Sequence, residues 1–501
     1  MKKMIQRWSA LFLVIVMLGM AVLSCGKADS GEGVGEATSD TSENGATDST
    51  TAATESVNTE PALNFGGKTF TLLHWDDGYP NEYFVEEQTG DLIADSVFLR
   101  NALVEERLGV EIEWIGTHGE WEYQEEFVTK VAADIQSGGE YDAFSTYSLT
   151  MATIAMRGFA RDLSELAHFD FEQSWWASSL IETSTVNGRL YFCGGDISVS
   201  MLREMNCTIF NKDMAAELKI GNLYEMVDKG TWTIDKMSEL ASTAYSDLNG
   251  NATQDINDQY GIAPKANWCF DPFYTAAGLL TVEKNENDEL IISPDFSSER
   301  TQQLVEKLVS VFHHTDYTVF SKKFPEWTNN RPFAEGRVLF IIDSNSVTSS
   351  DDFADTTVVY GILPVPKLDE AQEEYYTLVQ LAHSMYSVSN AISVEDANMA
   401  SAVLEYLAHE SYNSVTPAAF ETTMKLKRAS SNDDARMYDL LRETILFDFG
   451  RTFIDPLANI PIFAFRDLVY GGSTNWASLS KAEAKRMQKL LEQIQSAFDA
   501  N

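Results

Sequence analysis

Short alternating runs and longer helical ones follow one another from residue 68 onward. KTFTLL (68–73) puts apolar and polar side chains on opposite faces and is β-branched, the signature of a strand, and it runs into the polar, aromatic turn HWDDGYP. Residues 95–108 carry apolar positions at helical spacing behind Asp95 as a cap, and VEIEWI (110–115) alternates again. A helix over 122–135 and a strand over 141–147 continue the series. Alternation of this kind predicts an α/β fold with a mostly parallel sheet, in which ligands bind at the carboxyl ends of strands. Trp75, Asp76 and Tyr147 are thereby expected at one rim.

The second half is richer in helical periodicity, over 233–245, 300–312, 394–411, 433–447 and 481–498, with short strands at 338–342 and 358–363 and no repeat period. A first α/β unit, a long excursion and a helical end predict two lobes that share the chain discontinuously. The 437 residues from 65 to 501 suffice for two cores.

The amino terminus sets the compartment. Lys2, Lys3 and Arg7 precede the apolar run 10–23, then Ser24 and Cys25, a secretory signal over 1–24. Val22-Leu23-Ser24-Cys25 resembles the bacterial lipobox, which implies that Cys25 is acylated and anchors the protein on the outer face of the membrane. Residues 25–64 are Gly, Ser, Thr, Ala and acid, too poor in apolar surface to fold, and read as a disordered tether. No later stretch approaches the roughly 20 apolar residues of a membrane span, so the lipid is expected to be the only attachment. The formal net charge of −40 includes the signal's three cations, so a chain starting at Cys25 carries −43. Such acidity argues against nucleic acid or anionic headgroups as partners. Cys193, Cys207 and Cys269, without metal-finger spacing, are read as buried thiols, with one disulfide among them as the alternative.

Five segments in fixed order, 205–213 (MNCTIFNKD), 231–240 (TWTIDKMSEL), 255–262 (DINDQYGI), 333–340 (FAEGRVLF) and 360–376 (YGILPVPKLDEAQEEYY), resemble the extracellular solute-binding lipoproteins of carbohydrate ABC importers, the class related to maltose-binding protein. Trp175-Trp176 and NGRLYF (187–192) fit the same class. The resemblance implies a type II periplasmic-binding-protein fold, with lobe 1 formed by 65–195 and 377–412, lobe 2 by 196–376 and 413–501, and hinge strands near 192–204 and 376–386. It further implies a carbohydrate ligand, delivery to the transmembrane subunits of an ABC permease, no catalysis, no required cofactor and a monomeric protein.

A sugar cleft needs flat aromatics for C–H faces and carboxylates or amides for hydroxyls. Candidates at loop positions are Trp75, Asp76 and Asp77 after the first strand, Tyr147, then Trp268, Phe270 and Asp271 in NWCFDPF, and Asp343 and Asn345 after VLFII. Asp455, Phe463 and Phe465 in DPLANIPIFAF, and Trp476, are added where the resembled class puts another stacking aromatic. Asp247, Asn249, Asn251, Thr253 (by its carbonyl), Asp255 and Asp258 fall at positions 1, 3, 5, 7, 9 and 12 of an EF-hand-like calcium loop. Gly250 stands at position 4 of that loop instead of 6, and position 12 is the shorter Asp, so an Asx-turn loop is the competing reading. A glycoside hydrolase would need two carboxyls facing each other at about 5 to 9 Å, and none of the G-x-S-x-G, H-E-x-x-H or P-loop signatures is present. A sensor presenting ligand to a membrane receptor would share the fold and differ only in its partner.

Overall fold

Eight residues, Lys68–Trp75, form β1, and the last six are buried, the continuous burial of a strand covered on both faces. The computed structural model describes residues 63–500, so the signal, Cys25 and the tether up to residue 62 lie outside the described residues. β1 pairs in parallel with β2 (Val110–Thr117) along its whole length and with β3 (Ala143–Tyr147) near its end. The helix Leu92–Leu108 connects β1 to β2, started by Asp91, whose carboxylate accepts from the amides of Ile93 and Ala94, and ended by left-handed Gly109. The cap is therefore Asp91. Asp95 instead accepts from the amides of Thr89 and Gly90 and closes the turn before the helix.

A second sheet is built from β4 (Asn206–Asn211), β5 (Tyr260–Ile262), β8 (Val338–Ser344) and β9 (Tyr360–Leu363) in the order β5-β8-β4-β9. A small hairpin of β6 (Val282–Lys284) and β7 (Leu290–Ile292) stands apart from it. The chain then returns to the first sheet, where β10 (Ser384–Val388) lies antiparallel to β3 and gives the order β10-β3-β1-β2. One sheet thus takes strands from both sides of the excursion, which is the discontinuity that the sequence pattern predicts.

Two segments carry the chain between the sheets and are themselves paired. Cys193 and Tyr386 exchange backbone hydrogen bonds of 2.9 and 2.8 Å, Asn206 donates to the Leu378 carbonyl at 2.8 Å, and Gln380 to that of Glu204 at 2.8 Å. Helices with hydroxyl caps cover the sheets: Thr233 starts Ile234–Ala241, Ser298 starts Glu299–His313, Ser393 starts Val394–Asn413 and Ser431 starts Asn432–Glu443. The predicted helix 433–447 stops at Glu443 because Ile445 bridges Thr377 beside the crossing segments. Pro417–Arg428 forms a π-helix that periodicity does not announce. The three cysteines are free and buried. Among the described residues no helix is long and apolar enough to cross a membrane.

Candidate functional site

The parallel pairing of β1 and β3 sets their carboxyl ends side by side, and the rings of Trp75 and Tyr147 meet edge to face at 5.6 Å. That much follows the sequence reading. Trp75 is only 1 % exposed, however, and its indole donates to Tyr83 Oη at 2.7 Å and Ser384 Oγ at 2.8 Å. The ring is a packed foundation of the rim and offers no open face. Asp76 is exposed beside it, while Asp77 uses both carboxylate oxygens to hold the amides of Gly119 and Glu120 in the loop after β2.

That loop carries Trp121, 49 % exposed, whose ring stands 6.1 Å from Phe463 in the helix Ile460–Gly471. Trp121 follows a strand of the first sheet, and Phe463 comes from the helical end of the chain, beyond β10. The Arg466 guanidinium lies over the Phe463 ring at 4.8 Å. Arg466 is in turn fixed by Asp271, through Nε to Oδ1 at 2.9 Å and a second bond from Nη2 to Oδ2, with Arg451 at 3.6 Å from the same carboxylate. Nearby, Thr153 after β3 donates to Asp455, so this sequence-selected acid also bridges the two halves.

The floor is polar. Asp343 at the end of β8 is buried between Lys265 Nζ and Asn330 Nδ2, both at 2.7 Å. Burial works against the charge of Lys265, but Asp343 beside it prevails and raises its pKa. Asn345 is fully buried, its side-chain oxygen accepting from Tyr438 at 3.0 Å. Tyr79, in the turn after β1, donates to Glu204 in the first crossing segment. Burial pushes the Tyr147 phenol well above its ordinary range, and the charge of Glu204 adds to the shift.

The other selected aromatics divide. Trp268 is 43 % exposed on the short turn leading to Asp271. Phe270 is instead core, edge to face with Phe312 at 4.8 Å, because the turn rolls it under the helix Glu299–His313. Trp476 is fully buried with its indole donating to the Phe296 carbonyl at 2.9 Å, and Phe465 packs on it. These three are structural rings. Trp121, Tyr79, Glu204, Lys265 and Arg466 were missed by sequence reasoning; only Trp121, an aromatic among acids just past a strand, carried a usable signal.

The 247–258 loop is closed on itself. Asp247 accepts from the amides of Gly250 and Ala252 at 2.7 and 2.8 Å, and the Asp255 carboxylate takes the side-chain amides of Asn249 and Asn251 at 2.9 and 2.8 Å. Asp258 accepts from the Asp255 amide at 3.0 Å. The donor types suit a hard cation, but Asn249 and Asn251 turn N–H groups toward Asp255, so binding one would require these bonds to exchange. Among the described residues, the one group of three His, Cys, Asp or Glu whose ligand atoms lie within 4.8 Å of one another is Asp76, Asp77 and His118, away from this loop. A cavity of about 180 Å³ bordered by Trp176, Asp196, Met201, Arg442 and Phe447 adjoins the crossing segment and shares no residue with the aromatic rim.

No protein-family model matches the chain. No curated protein matches it either. Solved structures do. The chain is similar to the cyclic α-maltosyl-1,6-maltose binding protein of Arthrobacter globiformis, at 13 % identity and a TM-score of 0.58 over 85 % of this chain and 100 % of that one. A cyclo/maltodextrin-binding protein solved with maltotetraose gives 12 %, 0.56, 84 % and 97 %. UgpB of Mycobacterium tuberculosis, solved with glycerophosphocholine, gives 14 %, 0.54, 85 % and 98 %. With its two sheets, paired crossing segments and returning strand, the chain has the α/β fold of these substrate-binding proteins.

Proposed function

We propose that this protein is the lipid-anchored, extracytoplasmic substrate-binding component of an ABC importer, and that it captures a carbohydrate between its two sheets and delivers it to the permease. The observation that carries this reading is the Trp121 and Phe463 pair, brought together from segments more than 300 residues apart; the fixed Asp343 and Lys265 are taken as its polar partners. Flat apolar faces with convergent polar groups are what a sugar ring requires. Lobe 1 is taken as 65–195 with 377–412, lobe 2 as the remainder, and ligand contacts to both favour the closed state.

The similar proteins are themselves binders of maltodextrins and, in UgpB, of a phosphodiester, so the fold alone does not choose a sugar. The aromatic pair favours one. The acids here are engaged in positioning: Asp271 holds arginines, Asp343 holds Lys265, and Asp77 holds a loop. This subunit is therefore read as breaking no bond. Calcium in the 247–258 loop is kept as a structural proposal, with Asp247, Asn249, Asn251, Thr253, Asp255 and Asp258 as its ligands. A thermal-shift screen over a glycan library, followed by chromatography of the recovered ligand, tests the reading. A stabilising oligosaccharide returned intact supports it, cleaved ligand makes the protein a hydrolase, and no response to any glycan removes the carbohydrate assignment.

A further inference from the structure

Glu204 follows the short helix Ser200–Arg203 at the point where the chain leaves the first sheet for the second. Its backbone is part of the crossing, with the amide donating to Ser200 and the carbonyl accepting from Gln380. Its side chain joins three elements. Tyr79 donates to the carboxyl from the turn after β1, and the mutually bonded hydroxyls of Ser344 and Ser346, at and just past the end of β8, act on it from the second sheet. Only 4 % of the residue is exposed.

The charged and titratable groups around it come from each packed element. Asp343 on β8 faces it and is itself paired with Lys265. The Arg203 guanidinium lies over the Tyr79 ring at 4.7 Å, and Tyr147 at the end of β3 responds to the Glu204 charge. Burial is the largest influence on the carboxyl; Asp343 adds to it, the hydroxyls of Tyr79, Ser346 and Ser344 oppose it, and the balance pushes Glu204 up to about 7.

We propose that Glu204 couples lobe closure to proton uptake: its carboxyl takes a proton as the two sheets come together around it and releases it as they part. This rests on the reading of the two sheets as closing lobes. Parting them draws Tyr79 away from Ser344 and Ser346, which admits water to the carboxyl and returns it toward ordinary carboxylate acidity. A carboxyl whose affinity for protons is higher in the closed state favours that state at low pH. Thr153 on Asp455 and Trp121 against Phe463 make the present arrangement the closed one, and the preference is lost as pH rises through its value of about 7. Closure in mildly acidic solution should then take up as much as one proton.

The test uses the full-length protein without ligand, labelled at Leu103→Cys and Val359→Cys, two exposed positions tied to different sheets. Single-molecule energy transfer should show the closed population rising by about threefold or more as pH falls from about 8.5 to about 5.5. Glu204→Gln should hold its wild-type low-pH population throughout. It leaves intact two other buried carboxyls at the crossing segments: Glu82, bonded by Ser384, and Asp196, beside Arg442. Tyr79→Phe, which removes a bond that favours the ionised form, should move the midpoint to higher pH. An unresponsive wild type, an equal response in Glu204→Gln, or a Tyr79→Phe midpoint that stays or falls overturns the proposal. Because no ligand is used, a pH response with no glycan hit in the screen would refute the carbohydrate reading and leave the proton coupling standing.

Discussion

In the proposed function, Asp271 is the residue that most directly joins packing to binding. It is 1 % exposed and carries Arg466 on both oxygens, with Arg451 at 3.6 Å. Asp271→Asn keeps the shape and removes the charge, leaving the buried Arg451 and the partly covered Arg466 guanidinium around a neutral amide. Taking one partner from a buried ion pair destabilises by about 3–5 kcal/mol. Asp448 also acts on Arg451, which tempers the loss there and puts the expectation near the lower end, about 3 kcal/mol. Equilibrium urea unfolding measures it. A second effect should accompany the first: Arg466, no longer held, stops backing the Phe463 ring, so ligand affinity falls although Asp271 need not touch ligand. Removing the opposing charge in Arg466→Met should restore part of the stability when combined with Asp271→Asn, a coupling of about 1 kcal/mol or more. A loss under about 1 kcal/mol for Asp271→Asn, or strict additivity in the double variant, would refute this account of the cluster.

Trp121→Ala should weaken carbohydrate binding by about 2 kcal/mol, about thirtyfold, with little change in stability because the ring is half exposed, whereas Trp75→Ala should cost about 3–5 kcal/mol of stability. Calorimetry and urea titration of both variants would reveal the reverse pattern if Trp75 were the platform. Calcium, if bound by the 247–258 loop, should raise Tm with concentration, and Asp247→Ala should abolish the rise; a native Tm indifferent to calcium and chelator would leave only Asx turns. Burial raises Asp142 to about 6 against the amide of Thr71, so its contribution to stability is present below about pH 4 and lost as pH climbs through about 6. Asp142→Asn should accordingly flatten the stability profile in that window, and an unchanged profile would contradict the shift.

Local pattern made the first sheet readable. β1, β2 and β3 each show strand alternation or burial within a few residues, and the parallel pairing that follows from the intervening helix brings Trp75 beside Tyr147. Caps were legible only by type: Asp91 and Asp95 both suit a helix start, and the choice between them is made by the turn at Thr89 and Gly90. Aromatic roles were harder. Trp75, Phe270 and Trp476 sit at strand or turn ends just as Trp121 and Trp268 do, and what separates buried from open rings is a partner supplied from far along the chain. Ser384 lies 309 residues from Trp75, Phe296 lies 180 from Trp476, and Arg466 lies 195 from Asp271. Glu204 was invisible for the same reason, since Tyr79 and Ser344 reach it only after both sheets have formed.

The central claim is a carbohydrate held between the two sheets, and a crystal structure with the best oligosaccharide from the glycan screen tests it most directly. The account predicts intact sugar with ring faces against Trp121 and Phe463 and hydroxyls toward Asp343 and Lys265. Density for the sugar elsewhere, in the cavity bordered by Trp176, Asp196 and Arg442 for example, with the aromatic pair untouched, would contradict it.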